Sequence, residues 1–175
     1  QVSMIGFATQ EFKIENQTNF NVVLSEDVQS LSEIVITGRT KHFLSLVGEH
    51  LSVDNMNKAI EMVSNELNIC IPEFTVVGLP YENFFAHQWY IATNDKVDAV
   101  ILKEKLDQYL CKLNDDYAVE RTSALKEVLV RVLPEDTFLK FMELKGKVGS
   151  QHKFPRVMKG KMLEDWNKFL ETGNI

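Results

Sequence analysis

Phe74-Thr-Val-Val-Gly-Leu-Pro-Tyr-Glu-Asn-Phe-Phe-Ala-His-Gln-Trp-Tyr-Ile-Ala92 is the stretch on which the reading of the fold turns. Phe74–Leu79 and Phe84–Ala92 are rich in β-branched and aromatic residues, and Leu79–Asn83 between them carries turn formers. The pattern predicts a hairpin in the middle of a sheet, its first strand ended by Pro80. On the second strand Phe85, His87, Trp89 and Ile91 share one face, and Phe84, Ala86, Gln88 and Tyr90 the other. His87 with Trp89 reads either as the lining of a site or as packed core, the commoner use of a histidine in an aromatic sheet.

Outward from the hairpin, helical and extended periods alternate. Upstream, Met56, Ala59, Ile60, Val63 and Leu67 form one apolar stripe, predicting a helix over 54–67 capped by Asp54 or Asn55. Earlier still, Glu33–Thr37 and His42–Val47 read as a strand pair with its turn at Gly38–Lys41. Residues 2–24 hold two β-type runs, Ser3–Ala8 and Phe20–Leu24, and Ser25–Ser32 is polar. Downstream, Asp95 or Asp98 caps a helix running to Leu113, and 114–123 is polar with about one helical turn. Lys126–Leu133 is a strand with Val128, Val130 and Val132 on one face. Pro134-Glu-Asp136 opens a helix ending near Gly146, since proline and acids suit a first turn. Met162–Leu170 is a last helix. This order predicts an α+β fold: a mixed or antiparallel sheet of about four to five strands with helices on its faces. Residues 1–32 are read as a β segment or remnant of a preceding domain plus linker, and 33–175 as one domain. The start at Gln1 fits a segment of a longer enzyme.

Composition excludes several classes. The 175-residue chain carries a net charge of −6, has a pI near 5.3 and a mean hydropathy of −0.14. Such a balance disfavours a general nucleic-acid or membrane-surface binder. No apolar run approaches the ~20 residues of a membrane span. Cys70 and Cys111 sit inside apolar stretches and read as reduced core residues of a cytoplasmic protein, not as a bridge or a metal site. The four histidines lack ligand spacing, so no metal site is expected.

Against this acidic background stands Gly149-Ser-Gln-His-Lys-Phe-Pro-Arg-Val-Met-Lys-Gly-Lys161. Pro155 fixes its own backbone and pushes Phe154 out of the helical region, so the stretch is read as a loop presenting Lys153, Arg156, Lys159 and Lys161. A cationic loop on an acidic domain either meets an anion or is a solvated basic turn. Gly149, Gln151, Lys153, Pro155 and Arg156 together resemble the C-terminal signature of the auxin-responsive acyl acid–amido synthetases. Read onward, Pro155-Arg156 to Gly160-Lys161 is similar to the closing lysine motif of the wider adenylate-forming ligase superfamily. Gly38-Arg39-Thr40-Lys41, followed by an apolar run and Gly48, resembles that superfamily's hinge motif. By these motifs, over roughly residues 34–172, the chain is identified as a bacterial-type member of the amido synthetase family, and as its C-terminal mobile domain.

The resemblance implies a chemistry. Such ligases join a carboxylate to the α-phosphorus of ATP, giving acyl-AMP, and then pass the acyl group to an amino acid or another amine or thiol. It makes Lys153 or Lys161 the catalytic lysine, with Lys153 favoured because the nearer family carries that position. It makes Arg39, Gln151 and Arg156 nucleotide-binding residues and Lys41 the hinge. ATP with Mg would be bound mainly by an N-terminal adenylation domain of the same polypeptide. Neither that domain's Ser/Thr/Gly-rich loop nor a Walker-type loop occurs here, so the chain alone is expected to be inactive. The competing expectation is a non-catalytic α+β module that binds a small anion or a partner protein.

Overall fold

The computed structural model describes residues 2–4, 7–10, 43–146 and 153–173. The chain divides into two compact units, Gln1–Arg39 and Thr40–Ile175. In the first, β1 (Val2–Met4) pairs antiparallel with β2 (Phe7–Gln10). The expected single run Ser3–Ala8 is therefore two paired strands. The expected strands at 20–24 and 33–37 and the turn at 38–41 lie outside the described residues.

The second unit is α+β. In chain order it holds β3 (Phe43–Leu44), β4 (Leu51–Ser52), α1 (Val53–Leu67), β5 (Glu73–Tyr81) and β6 (Phe84–Ala92). There follow α2 (Ala99–Leu113), α3 (Asp115–Thr122), β7 (Leu125–Leu133), α4 (Thr137–Leu144) and α5 (Gly160–Thr172). The main sheet has the order β5-β6-β7, with β5–β6 antiparallel and β6–β7 parallel through the α2–α3 crossover. A bridge from Val157 to Val76 adds the beginning of a fourth strand.

Alternation along the strands sends side chains to two cores. Val76, Trp89, Ile91 and Val128 join the residues of α1 and α2 on one face. Val77, Tyr90, Ala92 and Leu133 join those of α4 and α5 on the other. The hairpin forms as its pattern requires, but β5 runs through Pro80 to Tyr81. The reason lies in register: Val76 turns its N–H and C=O to the outer edge, toward Arg156 and Met158. Pro80, four residues on, faces the same way, so its missing N–H removes no bond to β6.

The helix ends also differ in instructive ways. Ser52, not Asp54 or Asn55, caps α1, and Asn55 is the reciprocal half of a capping box with it. Asp98 caps α2 through the Val100 N–H at 2.7 Å, while Asp95 accepts from the Cys70 N–H. The expected single turn after Asn114 is the eight-residue α3, held inward by buried Tyr117. Tyr117 donates to Asp107 at 2.8 Å, and Arg121 grips the same carboxylate. The strand expected over 42–47 shrinks to Phe43–Leu44, because the Glu49 carboxylate captures the N–H groups of Leu46 and Val47.

Candidate functional site

The basic stretch divides where it touches the sheet. Phe154 is buried among Phe138, Phe141 and Trp166, with ring centroids 4.7, 6.0 and 5.3 Å away. The Thr75 hydroxyl donates to the Pro155 carbonyl at 2.8 Å. The Val76 N–H donates to Arg156 O at 2.8 Å, and the Met158 N–H to Val76 O at 3.1 Å. From Phe154 to Met158 the chain is thus an edge strand in the making rather than a solvated turn.

Arg156 points back along that edge. Its guanidinium lies 4.2 Å over the Phe74 ring and is ion-paired with Glu73. It also donates to Asn57 Oδ1 and to the Phe74 carbonyl, each at 3.1 Å. All of these partners are internal, so the side chain staples the segment to β5 and α1. Lys161 lies in the first turn of α5, not on a loop as expected, because the helix begins at Gly160. Its ammonium is 2.9 Å from Asp165 and 3.7 Å from Glu164. The hydrogen bond to Asp165 pushes the lysine's pKa up. Asp165 is also met by Lys145 Nζ at 2.5 Å, and that bond, with the one from Lys161, holds its carboxyl below the usual range.

Lys153 differs from both. It is exposed, directly precedes buried Phe154, and forms no ion pair among the described residues. Lys159 is exposed as well. Arg39, Lys41 and Gln151 lie outside the described residues.

His87 and Trp89 are packed core. Trp89 is fully buried and stacks on Phe74, with centroids 5.8 Å apart. His87 Nε2 sits 3.0 Å from Glu49 Oε1, both side chains being wholly buried, and its Nδ1 has no hydrogen-bond partner. Burial alone would raise the Glu49 carboxyl. The bonds from His87 and from the Val47 and Leu46 N–H groups outweigh it and bring the pKa to about 2. Sequence reasoning passed over Glu49; its signal was one acid inside the apolar stretch Leu44–Leu51.

Two clefts lie elsewhere. One of about 740 Å³ is lined by Arg131, Leu133, Lys140 and Phe169 among others. The other, about 530 Å³, runs between α1 and residues 69–74, where Cys70 is exposed rather than a core residue as expected, and ends at Arg156. Neither includes Lys153. Among the described residues no group of carboxylates, histidines and cysteines is disposed to hold a metal ion. An exposed ammonium such as that of Lys153 suits a phosphate oxygen. No described helix is long and apolar enough to cross a membrane.

Together these features define a class: a helix-covered mixed sheet whose outer edge holds a cationic segment that presents Lys153 and Lys159 to solvent. Residues 54–161, more than half of the chain, match the GH3 family C-terminal domain. The chain belongs to the GH3 family and corresponds to its C-terminal domain. A solved structure of GH3.15 acyl acid amido synthetase is 19% identical, with a TM-score of 0.63 over 77% of this chain and 26% of its own. A second, AtGH3.15 acyl acid amido synthetase in complex with 2,4-DB, is 18% identical, with a TM-score of 0.61 over 79% and 26%. These likenesses are of fold, and this chain spans about a quarter of the length of either protein. No curated protein matches the chain.

Proposed function

We propose that this chain is the C-terminal cap of an ATP-dependent acyl-adenylate-forming ligase of the acyl acid–amino acid amido synthetase type, and that Lys153 is its catalytic lysine. The observation that carries the assignment is the contrast among the cations. Arg156 and Lys161 are held by acids of the same domain, whereas Lys153, directly before buried Phe154, forms no ion pair among the described residues, and of the two lysines the family motifs offer it is the one without an acid partner there.

In the first half-reaction an oxygen of a carboxylic acid attacks the α-phosphorus of ATP. The bond to the bridging oxygen breaks, and pyrophosphate leaves with the electron pair. Negative charge grows on the equatorial oxygens, and a compact ammonium brought there stabilises the transition state more than the ground state. In the second half-reaction an amino acid, or another amine or thiol, attacks the acyl carbon and AMP departs. A swing of the cap about Lys41 withdraws the lysine between the two steps. Arg39 and Gln151 face the nucleotide. Arg156 supports the segment from behind and approaches the nucleotide only if its staple opens. ATP and Mg are held chiefly by an N-terminal adenylation domain of the same polypeptide, in the cytoplasm.

The test is ATP–pyrophosphate exchange by the product of the whole gene, driven by a panel of carboxylic acids. Acid-dependent exchange is expected, falling about 100- to 1,000-fold in Lys153→Ala, the usual loss for one preorganised donor. Exchange that is absent with every acid, or untouched by the substitution, rejects the proposal.

A further inference from the structure

Lys145 follows the last residue of α4, and Lys161 lies in the first turn of α5. In sequence they flank the segment that carries Lys153. In space both reach one carboxylate: Lys145 Nζ is 2.5 Å from Asp165 Oδ2, and Lys161 Nζ is 2.9 Å from Oδ1. Asp165 is only 8% exposed, and its neighbour Trp166 packs edge-on against Phe154. One turn of α5 thus holds the residue that follows α4, its own first turn, and Phe154 next to the exposed Lys153.

We infer that Asp165 is a positioning residue that ties the end of α4 to the start of α5 and thereby sets where the Phe154–Met158 run, and Lys153 directly before it, stands, with Lys161 as its counter-ion rather than a phosphate ligand. The inference deepens the proposed function and rests on it for the role of Lys153. The clasp itself rests on the geometry alone. A lone Lys161–Asp165 pair would be an ordinary exposed i,i+4 contact of little consequence. The Lys145 bond spans 20 residues in sequence and is far less exposed, which makes it a cross-link between helices. Each Asp165 oxygen takes one ammonium, and Glu164 stands farther off, 3.7 Å from that of Lys161. The superfamily-type lysine at 161 is therefore engaged, and the family-type lysine at 153 is the one left to act.

Trypsin reads the clasp directly in the 175-residue chain. Cleavage after Lys153 and Arg156 requires the segment to leave the sheet, so its rate reports local opening. In Asp165→Asn these two cuts are expected to speed up about tenfold or more, while cuts at Lys58 and Lys105 in α1 and α2 keep their rates. Asp165→Glu should restore protection in part. Should Asp165→Asn fail to fold, Lys145→Gln removes the cross-link and is read the same way. Unchanged cutting at 153 and 156, or equal acceleration at all four sites, overturns the clasp. In the product of the whole gene, Asp165→Asn is expected to lower kcat of the exchange reaction with KM for ATP within about twofold, as loss of a transition-state contact does. A raised KM with unchanged kcat also overturns it. If instead Lys153→Ala leaves exchange intact while trypsin shows the clasp, the catalytic reading falls and the clasp stands.

Discussion

The two faces of the sheet solve different problems. Beneath α1 and α2 the core is mostly aliphatic, and the Glu49 carboxylate buried there is matched to His87 and to two backbone N–H groups. Beneath α4 and α5 the core is aromatic, with Trp166 surrounded by Phe138, Phe141, Phe154, Phe169 and Tyr90. Acids of that side and of the β5 edge answer cations on the connecting segment. The first face fixes the loop that follows the hinge-like motif, and the second fixes the segment that carries Lys153. The difference teaches that a domain can anchor one connection through a buried charge and another through ring packing, with Lys153 tied by neither among the described residues.

Substitutions can break this contrast, and the largest effect belongs to the aromatic side. Trp166→Ala empties the centre of that core and should cost about 3–5 kcal/mol in chemical denaturation. A loss below 1 kcal/mol would mean the rings are not one packed unit.

On the other face Glu49 supplies a pH-dependent term. Its folded pKa of about 2 lies below the 4.5 of a free glutamate side chain. Its contribution is therefore complete above pH 4.5 and is lost as pH falls from there toward 2. By linkage the term amounts to roughly 3 kcal/mol. Glu49→Gln should lower stability at pH 7 by about that much and flatten the acid limb of the stability–pH curve, measured by denaturant titration at each pH. An unchanged acid limb contradicts the buried pair.

Gly78→Ala comes next. A Cβ there would sit 2.6 Å from the Leu46 methyls, so the Leu46 side chain, on the loop anchored by Glu49, must shift. The expected cost is about 1–3 kcal/mol, with faster amide exchange confined to the 43–52 region. Arg156→Ala should cost least, about 1–2 kcal/mol, because Glu73 keeps part of its exposure to water when its partner goes. Its effect should appear at 153–158 and not at 43–52.

Much of the fold was legible because periodicity carried it. The stripe of α1, the alternation of β6 and the valines of β7 each name their buried face without help from elsewhere. What failed to show locally was decided by contacts far off in sequence. Pro80 reads as a stop until the outer edge of β5 is known to be nearly unpaired. The 42–47 run reads as a strand until the Glu49 carboxylate takes its amides. At the site the cationic stretch was conspicuous in an acidic chain, but the acids that engage it were not. Glu73 lies 83 residues from Arg156, and Lys145 lies 20 from Asp165, spacings that no helical or strand pattern marks.

The account stands most directly on the division between two lysines. The measurement is ATP–pyrophosphate exchange by the product of the whole gene, with Lys153→Ala and Lys161→Ala assayed side by side under saturating ATP and acid. A fall of about 100-fold or more for Lys153→Ala, with Lys161→Ala within about fivefold of the unsubstituted protein, is the predicted result. The reverse order, with Lys161 indispensable and Lys153 dispensable, would contradict it.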